Sequence, residues 1–263
     1  ALSSAASDVY KRQAQVLMGT TDVVMDHQEK KELQRKFINP ELCDITEALV
    51  YTEPYNDERG RNRVFPPIAD FVKEKLYEDQ GLHCEVAKLK MDFMTRAQSL
   101  IHGDLHTGSI FINEESTKVF DPEFCFYGPM GYDIGNVIAN MIFAWANGDA
   151  AGAADFCKWV EDVLVDVINM TKEKMEKYYD EHVTDTMCRN ELYKKYYMDT
   201  IIEDTSAVAG LELIRRIVGM ANVKDITTIA DEAKRARAEK ICITAAIDFI
   251  KNRKTPVSYT HLR

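Results

Sequence analysis

Two short polar motifs carry the residue types that could do chemistry. The first is HGD at 102–104, and the second is DPE at 121–123. If the chain between them turns back on itself, Asp104 meets Asp121 and Glu123 in one cleft. Three neighbouring carboxylates raise one another's pKa unless a cation lies among them. The pattern therefore predicts a hard divalent ion with oxygen ligands, most simply Mg²⁺, that bridges to substrate phosphates.

The segment between the motifs favours this functional interpretation over the alternative of two unrelated loops, although Asp-Pro-Glu alone is typical of a turn. Residues 110–112 and 119–120 are short β-branched and aromatic runs, separated by the polar stretch 113–118. Such runs predict two antiparallel strands. A hairpin of that length brings its two ends, and hence the two motifs, together.

The rest of the chain has mostly the apolar spacing of helices. The turn-rich stretch at 39–67 predicts only short helical turns and loop. The resulting fold class is mainly α (α+β), a helical body with one small β-hairpin. The predicted helices are residues 14–36, 68–76, 85–100, 134–147, 151–180, 187–218 with a break near Gly210, and 228–252.

Composition excludes several classes of protein. The 263 residues are 46% hydrophobic and 29% charged, which excludes a disordered or fibrous chain. The net charge of −10 gives no general attraction to nucleic acid or to an anionic membrane, so neither is expected as a partner. The longest apolar run, 134–146, is interrupted and too short to span a bilayer. The six cysteines form no CxxC pair and predict reduced, mostly buried thiols in a cytoplasmic protein.

The order of the two motifs is that of a kinase catalytic loop followed by a metal-binding loop. In that arrangement Asp104 accepts or orients the attacking hydroxyl, and Asp121 holds Mg²⁺ on the phosphates of ATP. Gly103, where protein kinases have arginine, resembles the aminoglycoside phosphotransferase and choline kinase superfamily. The members of that superfamily act on small-molecule hydroxyls.

Longer segments resemble the 5-methylthioribose kinases within that superfamily. They are IHGDLHTGSIFI, FDPEFCFYGPMGYDIGNVIAN and LIRRIVGMANVKDI. Ser109, where most of the superfamily has a metal-binding asparagine, is a departure that this family shares. The resemblance implies a protein-kinase-like C-terminal lobe, a homodimer, and ATP and Mg²⁺ as cofactors. The implied reaction is phosphorylation of O1 of 5-methylthio-D-ribose to the 1-phosphate in methionine salvage.

The resemblance also implies roles for single residues. Asp104 resembles the catalytic base, which contacts the anomeric hydroxyl of the sugar. Asp121, Pro122 and Glu123 match the loop that binds the metal and the nucleotide phosphates.

Arg215 and Arg216 resemble the paired arginines that bind the sugar and the transferring phosphoryl group. A net-acidic protein that handles ATP needs local positive charge, and the fixed donors of arginine suit phosphate oxygens. Without the resemblance, a solvated pair on a helix is an equal alternative.

His102, His106, Ser109 and Asp133 are expected to support the catalytic loop. The two histidines, at a four-residue spacing, could be imagined as metal ligands, but Mg²⁺ prefers oxygen. Asp133 resembles the aspartate that braces the loop from the start of the next helix. A simple helix N-cap is the alternative for this residue.

The two ends of the chain lack the apolar periodicity of the rest and resemble translated adapter sequence. We therefore expect residues 1–13 and 257–263 to be non-native and residues 14–256 to be the phosphotransferase domain. No glycine-rich phosphate loop or strand lysine of the VAIK kind can be placed before the catalytic loop. These features predict a C-terminal-lobe fragment with little activity alone.

Two other functions stay open on the sequence. One is a kinase of another small alcohol, such as choline, a fructosamine or an aminoglycoside. A choline site would need an aromatic box or extra acids for the quaternary cation. The other is a noncatalytic binding protein that kept the kinase fold, and intact Asp104, Asp121 and Glu123 argue against it.

Overall fold

The computed structural model describes residues 14–113 and 116–255. This part of the chain is mainly helical, which confirms the predicted kinase-like, mainly α class. The ends expected to be non-native lie outside the described residues.

Residues 14–19 are helical. The helices that follow are α1 His27–Lys36, α2 Pro40–Tyr51, α3 Glu53–Asn56, a 3₁₀ turn Pro66–Ile68, α4 Ala69–Val72, a π-helical turn Lys73–Tyr77, α5 Gln80–Thr95, a 3₁₀ turn Thr107–Ser109, α6 Gly131–Ala151, α7 Ala154–His182, α8 Glu191–Val218, α9 Lys224–Thr227 and α10 Glu232–Lys251.

The strands form two separate antiparallel pairs. The predicted hairpin is present as β2 Ile110–Ile112 and β3 Thr117–Val119, with Ile110 opposite Val119. The second pair joins β1 Ser99–Ile101 to β4 Phe126–Gly128. Neither β1 nor β4 was predicted.

The helix predicted over 85–100 is wrong at its C-terminal end. Leu100 fits the helical spacing set by Leu89 and Phe93, yet α5 ends at Thr95 and Leu100 lies in β1. Three residues are too few for an alternating pattern to identify a strand. The pairing of β1 with β4 depends on residues that are far apart in the sequence. Next to it, the Gln98 side chain accepts a hydrogen bond from the Met130 backbone N–H at 2.9 Å.

The first predicted helices also differ in their boundaries. Residues 14–36 are interrupted, because the Asp26 carboxylate accepts the backbone N–H groups of Gln28 and Glu29, each at 3.0 Å, and starts α1 there. Residues 40–51 form a full helix, α2, where only short turns were predicted. Pro40 occupies its first turn, where the missing N–H costs no hydrogen bond.

The centre of the core is formed by α6, α8 and α10, with α7 packed beside α6. α6 is buried along most of its length, which is typical of a helix that is apolar on nearly all sides. A Cβ at Gly131 would lie 2.6 Å from the backbone nitrogen of Thr205, and a Cβ at Gly135 would lie 2.7 Å from the Thr205 carbonyl oxygen. The backbones of α6 and α8 therefore touch, and this contact fixes how the two helices face the site.

The break predicted near Gly210 is wrong, because α8 continues through this residue without interruption. The glycine serves packing instead. A Cβ at Gly210 would lie 2.5 Å from the carbonyl oxygen of Ala246 in α10. The absence of a side chain allows α8 and α10 to approach closely.

Two smaller predictions concern cysteines and membranes. All six cysteines are free thiols, but only Cys157 and Cys242 are buried, whereas the sequence predicts mostly buried ones. Across the described residues, none of the helices combines the length and the apolarity that crossing a bilayer requires.

Gly210→Ala is expected to lower the free energy of unfolding by about 1–3 kcal/mol, because the added methyl group forces α8 away from α10. Gly81→Ala in α5 is the matched control. Its Cβ would meet only side-chain atoms, at 3.3 Å or beyond, and alanine favours the helix. Urea denaturation measures both changes. An unchanged midpoint for Gly210→Ala would contradict the close approach.

Candidate functional site

The loop at residues 102–109 connects β1 to β2 and is hydrogen-bonded to the first turn of α6. The Asp133 carboxylate, in the first turn of α6, accepts the backbone N–H of His102 at 2.7 Å and that of Gly103 at 3.0 Å. The N-cap position of α6 is Met130, so Asp133 does not act as a simple cap. Its side chain braces the loop, in the geometry that the sequence comparison with kinases implied.

Gly103 brings this loop against the acidic loop, residues 121–123, and the chain just after it. Its φ is +83°, and a Cβ there would lie 2.3 Å from the carbonyl oxygen of Phe124. Glycine alone fits a left-handed position with so close a neighbour. The backbones of the two motif loops therefore lie against each other, as the sequence predicts.

The two histidines bond within the loops. His102 Nε2 lies 2.9 Å from the carbonyl oxygen of Phe120, which ties the first loop to the end of the hairpin. His106 Nε2 lies 3.3 Å from Ser109 Oγ and 3.8 Å from Asp104 Oδ2. These contacts fit a supporting role for His102, His106 and Ser109.

Asp104 is the carboxylate that faces α8. Its Oδ1 accepts a hydrogen bond from Arg215 Nη2 at 3.3 Å, and about a quarter of its side-chain surface, 28%, is exposed. Burial opposes the charge of Arg215, but the neighbouring carboxylates of Glu212 and Asp104 outweigh it and raise the pKa of this guanidinium. The positive charge beside Asp104 is therefore permanent.

Glu212 is a site residue that the sequence analysis missed. It is 1% exposed and pairs with both arginines, Arg215 through its Nε at 3.1 Å and Arg216 through its Nε at 2.8 Å. The available signal was a glutamate three and four positions before two arginines, a spacing that puts all three on one helical face.

The predicted convergence of three carboxylates is not seen. Among residues 14–113 and 116–255, no three His, Cys, Asp or Glu side chains lie close enough to hold a metal ion together. Asp104 is paired with Arg215, whereas Asp121, Pro122 and Glu123 are exposed. The positive charge near Asp104 is that of Arg215. Because Arg215 neutralises Asp104, the repulsion among three carboxylates, on which the prediction of a shared metal ion was based, does not arise.

The acidic loop has a defined shape. Asp121 has a φ of +65°, an uncommon conformation for a residue other than glycine. The Asn39 side chain donates to the carbonyl oxygens of Glu123 at 2.8 Å and of Cys125 at 3.2 Å. Two exposed carboxylates suit Mg²⁺, which keeps several waters and takes one or two carboxylates together with phosphate oxygens.

A cavity of about 80 Å³ opens beside Asp104. Its polar groups include Asp104 and Arg215, and its apolar wall comes partly from α2, which the sequence analysis did not connect with the site. The described lining residues are Ile45, Thr46, Leu49, Gly103, Asp104, Phe124, Arg215, Met220 and Ala221. The lining therefore combines a carboxylate and a guanidinium with apolar side chains at one small opening.

An exposed aromatic pair lies on the hairpin next to the acidic loop. Phe111 and Phe120 stack with ring centroids 4.5 Å apart and planes 12° from parallel. Their exposed fractions are 64% and 39%. Flat apolar rings of this kind are surfaces on which a nucleobase can stack.

Comparison with known proteins shows which proteins this chain is similar to. A model of the phosphotransferase enzyme family matches residues 35–164, which include α2, both loops and Asp133. The methylthioribose kinase of Escherichia coli O45:K1 (strain S88 / ExPEC) is 35% identical over an alignment of 263 positions, which covers 94% of this chain and 62% of that protein. The methylthioribose kinase of Geobacillus thermodenitrificans (strain NG80-2) is 39% identical over 230 residues, covering 84% and 54%. Methylthioribose kinase 1 of Oryza sativa subsp. japonica is 37% identical over 248 residues, covering 87% and 56%.

The chain spans about three fifths of the length of the curated relatives it matches. Arg215 and Arg216 lie outside the range of the family model but inside the part of the chain aligned in the longest of these matches, which covers 94% of it.

The stability contributed by Asp133 is expected to depend on pH. Burial raises the pKa of its carboxyl to about 6, although two backbone hydrogen bonds favour the charged form. A pKa above the unfolded value means that the contribution is fully present below pH 4 and is lost as the pH rises to 6. Between these values the free energy of unfolding of the wild type, relative to Asp133→Asn, should fall by about 1–3 kcal/mol. Urea denaturation at several pH values measures this difference, and a constant difference would contradict the raised pKa.

Proposed function

We propose that the complete protein is an ATP-dependent kinase that phosphorylates O1 of 5-methylthio-D-ribose. The match of the phosphotransferase enzyme family model to residues 35–164 supports this proposal. The observation that carries the proposal is the pairing of Asp104 with Arg215 at the cavity. It places a carboxylate that can act as a base and a fixed cation that can bind phosphate oxygens at the same opening, and transfer of a phosphoryl group to a hydroxyl uses both kinds of group.

In the proposed reaction, Asp104 orients the O1 hydroxyl of the sugar and accepts its proton. O1 forms a bond to the γ-phosphorus of ATP while the bond from that phosphorus to the β–γ bridging oxygen breaks, and ADP leaves. Because the transition state is loose, alignment and neutralisation of charge supply most of the acceleration. Arg215, with Arg216 beside it on α8, provides positive charge for the transferring phosphoryl group.

The cavity supports a sugar with an apolar substituent as the acceptor. Ile45, Leu49 and Met220 contribute apolar side chains to its lining, together with Asp104 and Arg215. Phe124 is the single aromatic residue among its described lining residues, short of the aromatic box that suits a quaternary ammonium group. The composition of this lining favours a sugar with an apolar substituent over choline as the acceptor.

The acidic loop is proposed to hold the metal and the nucleotide phosphates. Asp121 and Glu123 are the carboxylates available to Mg²⁺, with Pro122 between them, and the stacked Phe111 and Phe120 offer a surface to the adenine ring. When bound, Mg²⁺ neutralises charge on the phosphate oxygens. The side chains of the loop are exposed, so they can take part in such a site without first breaking internal contacts.

The proposal extends to the setting of the enzyme. Similarity to methylthioribose kinases supports a role in methionine salvage, in the cytoplasm, as a homodimer. The net charge of −10 supports partners that are small molecules rather than nucleic acid or membrane lipids.

The deciding experiment is ADP release by the complete protein with 5-methylthioribose, ribose, choline or an aminoglycoside as acceptor. We expect selective, Mg²⁺-dependent turnover of 5-methylthioribose. Asp104→Asn should lower that turnover by about 10²–10⁴-fold, because asparagine cannot accept the proton. Asp44→Asn, at an exposed position of α2, is the control and should keep wild-type rates.

Two outcomes would overturn this proposal. Turnover of another acceptor in the panel would support a kinase activity but show that 5-methylthioribose is not its substrate. Full activity of the Asp104→Asn variant would show that Asp104 is not the catalytic base.

Asp121→Asn is expected to weaken binding of Mg²⁺–ADP by at least about ten-fold, because the loop loses a charged oxygen ligand. Asp70→Asn, another exposed carboxylate, should leave the affinity unchanged. Isothermal titration calorimetry with and without Mg²⁺ measures both. Equal affinities for wild type and Asp121→Asn would remove Asp121 from the proposed metal site.

A further inference from the structure

Asn39 is the residue before α2 and occupies the capping position of that helix. In α1, α5, α8 and α10 an Asp or Asn side chain at this position accepts backbone N–H groups of the first turn, which stabilises the start of a helix. The side chain of Asn39 makes no such bond, and α2 begins with Pro40 instead, which has no N–H to satisfy. The amide of Asn39 is therefore left for a different partner.

The partner of this amide is the acidic loop together with the chain just after it. Asn39 Nδ2 lies 2.8 Å from the carbonyl oxygen of Glu123 and 3.2 Å from that of Cys125. A side-chain amide carries two N–H groups, so the two bonds use all of its donors. The side chains of the acidic loop are exposed, and this contact ties its backbone to the start of α2.

The backbone on both sides of the contact has an uncommon conformation. Across residues 14–113 and 116–255, three residues other than glycine have a positive φ. Two of the three belong to the segments that the contact joins, Asn39 at +41° and Asp121 at +65°. Such conformations persist only where surrounding contacts hold them, and they are typical of functional sites. The hydrogen bonds of Asn39 are contacts of this kind.

We infer that Asn39 is a positioning residue, which holds the backbone of residues 121–125 in the shape that serves a metal ion. Binding of Mg²⁺ by Asp121 and Glu123 rests on the function proposed above, whereas the effect of Asn39 on the shape of the loop does not. Asn39 uses its donors on carbonyl oxygens, so it acts on the ligands through the backbone. Residues that orient metal ligands in this way commonly change metal affinity by about 10–100-fold when substituted.

The same contact fixes the acidic loop relative to the cavity beside Asp104. Ile45, Thr46 and Leu49 of α2 contribute to the lining of that cavity, and α2 begins at the residue after Asn39. Under the proposed function, the nucleotide phosphates and the acceptor must be aligned for transfer to occur. Asn39 joins the loop proposed to hold the metal to the helix that helps to line the cavity.

The first test is Asn39→Asp in the full chain, followed by hydrogen exchange of single backbone amides in NMR spectra. Aspartate has the size of asparagine and tolerates a left-handed backbone, but it has no N–H groups to donate. The N–H of Cys125, which bonds to the Pro122 carbonyl oxygen at 3.0 Å, should exchange at least about ten-fold faster. The N–H of His102, which bonds to Asp133, should keep its rate.

Two outcomes of the exchange measurement would overturn the inference. One is an unchanged rate at Cys125, and the other is an equal rise at Cys125 and His102, which would show only a general loss of stability. Asn39→Gly covers the case in which Asn39→Asp does not fold. Glycine fits the positive φ, removes the same donors without adding charge, and should give the same local increase.

Asn190→Asp is the matched control. Asn190 is exposed and caps α8 through its side-chain oxygen, which accepts the N–H groups of Leu192 at 2.8 Å and Tyr193 at 3.3 Å. Aspartate keeps these bonds while adding the same charge as Asn39→Asp. Exchange at Cys125 should therefore stay at the wild-type rate.

The second test is the affinity of the complete protein for ADP with and without Mg²⁺, measured by isothermal titration calorimetry. The wild type should bind ADP more tightly with Mg²⁺ than without it. In Asn39→Asp this gain should fall by about ten-fold or more. The added negative charge alone would attract Mg²⁺ and enlarge the gain, so a decrease reports the shape of the loop. An equal or larger gain would overturn the inference.

The two tests separate failure of this inference from failure of the proposed function. Hydrogen exchange needs neither nucleotide nor metal. Absence of Mg²⁺-dependent ADP binding in the wild type rejects the proposed metal site, and the exchange rates then decide whether Asn39 shapes the loop. Unchanged exchange at Cys125 rejects the inference even if the complete protein is an active kinase.

Discussion

The ion pair between Asp104 and Arg215 is the interaction on which the rest of the site depends. It connects the 102–109 loop, which has little regular structure of its own, to α8 in the centre of the core. The same loop is bonded to α6 through Asp133. Two buried helices therefore hold the loop from two sides, so Asp104, the proposed base, is placed by the core rather than by the loop.

That arrangement requires α6 and α8 to be fixed relative to each other. Gly131 and Gly135 allow their backbones to touch, and a well-packed core resists small displacements. The charges at the site then follow an alternating order along Asp104, Arg215, Glu212 and Arg216. Each charge has an opposite neighbour, which makes burial of the set tolerable.

Much of this could be predicted from the sequence, for reasons that differ between residues. The hairpin and the long helices have strong local patterns, and the loop residues Asp104, Asp121 and Asp133 belong to motifs. β1 and β4 could not be predicted because three-residue strands are stabilised by a distant partner. Glu212 was missed because its importance comes from burial, which spacing alone does not show. The predicted three-carboxylate ion site was not found because Arg215, more than a hundred positions away, already pairs with Asp104.

The most direct test of this account is a double-mutant cycle between Asp104→Asn and Arg215→Gln, measured by urea denaturation of the full chain. If the ion pair holds the loop on α8, the two changes are coupled, and the interaction free energy is favourable by about 1 kcal/mol or more. Additive effects of the two substitutions would contradict the account, because the loop would then be positioned without this pair.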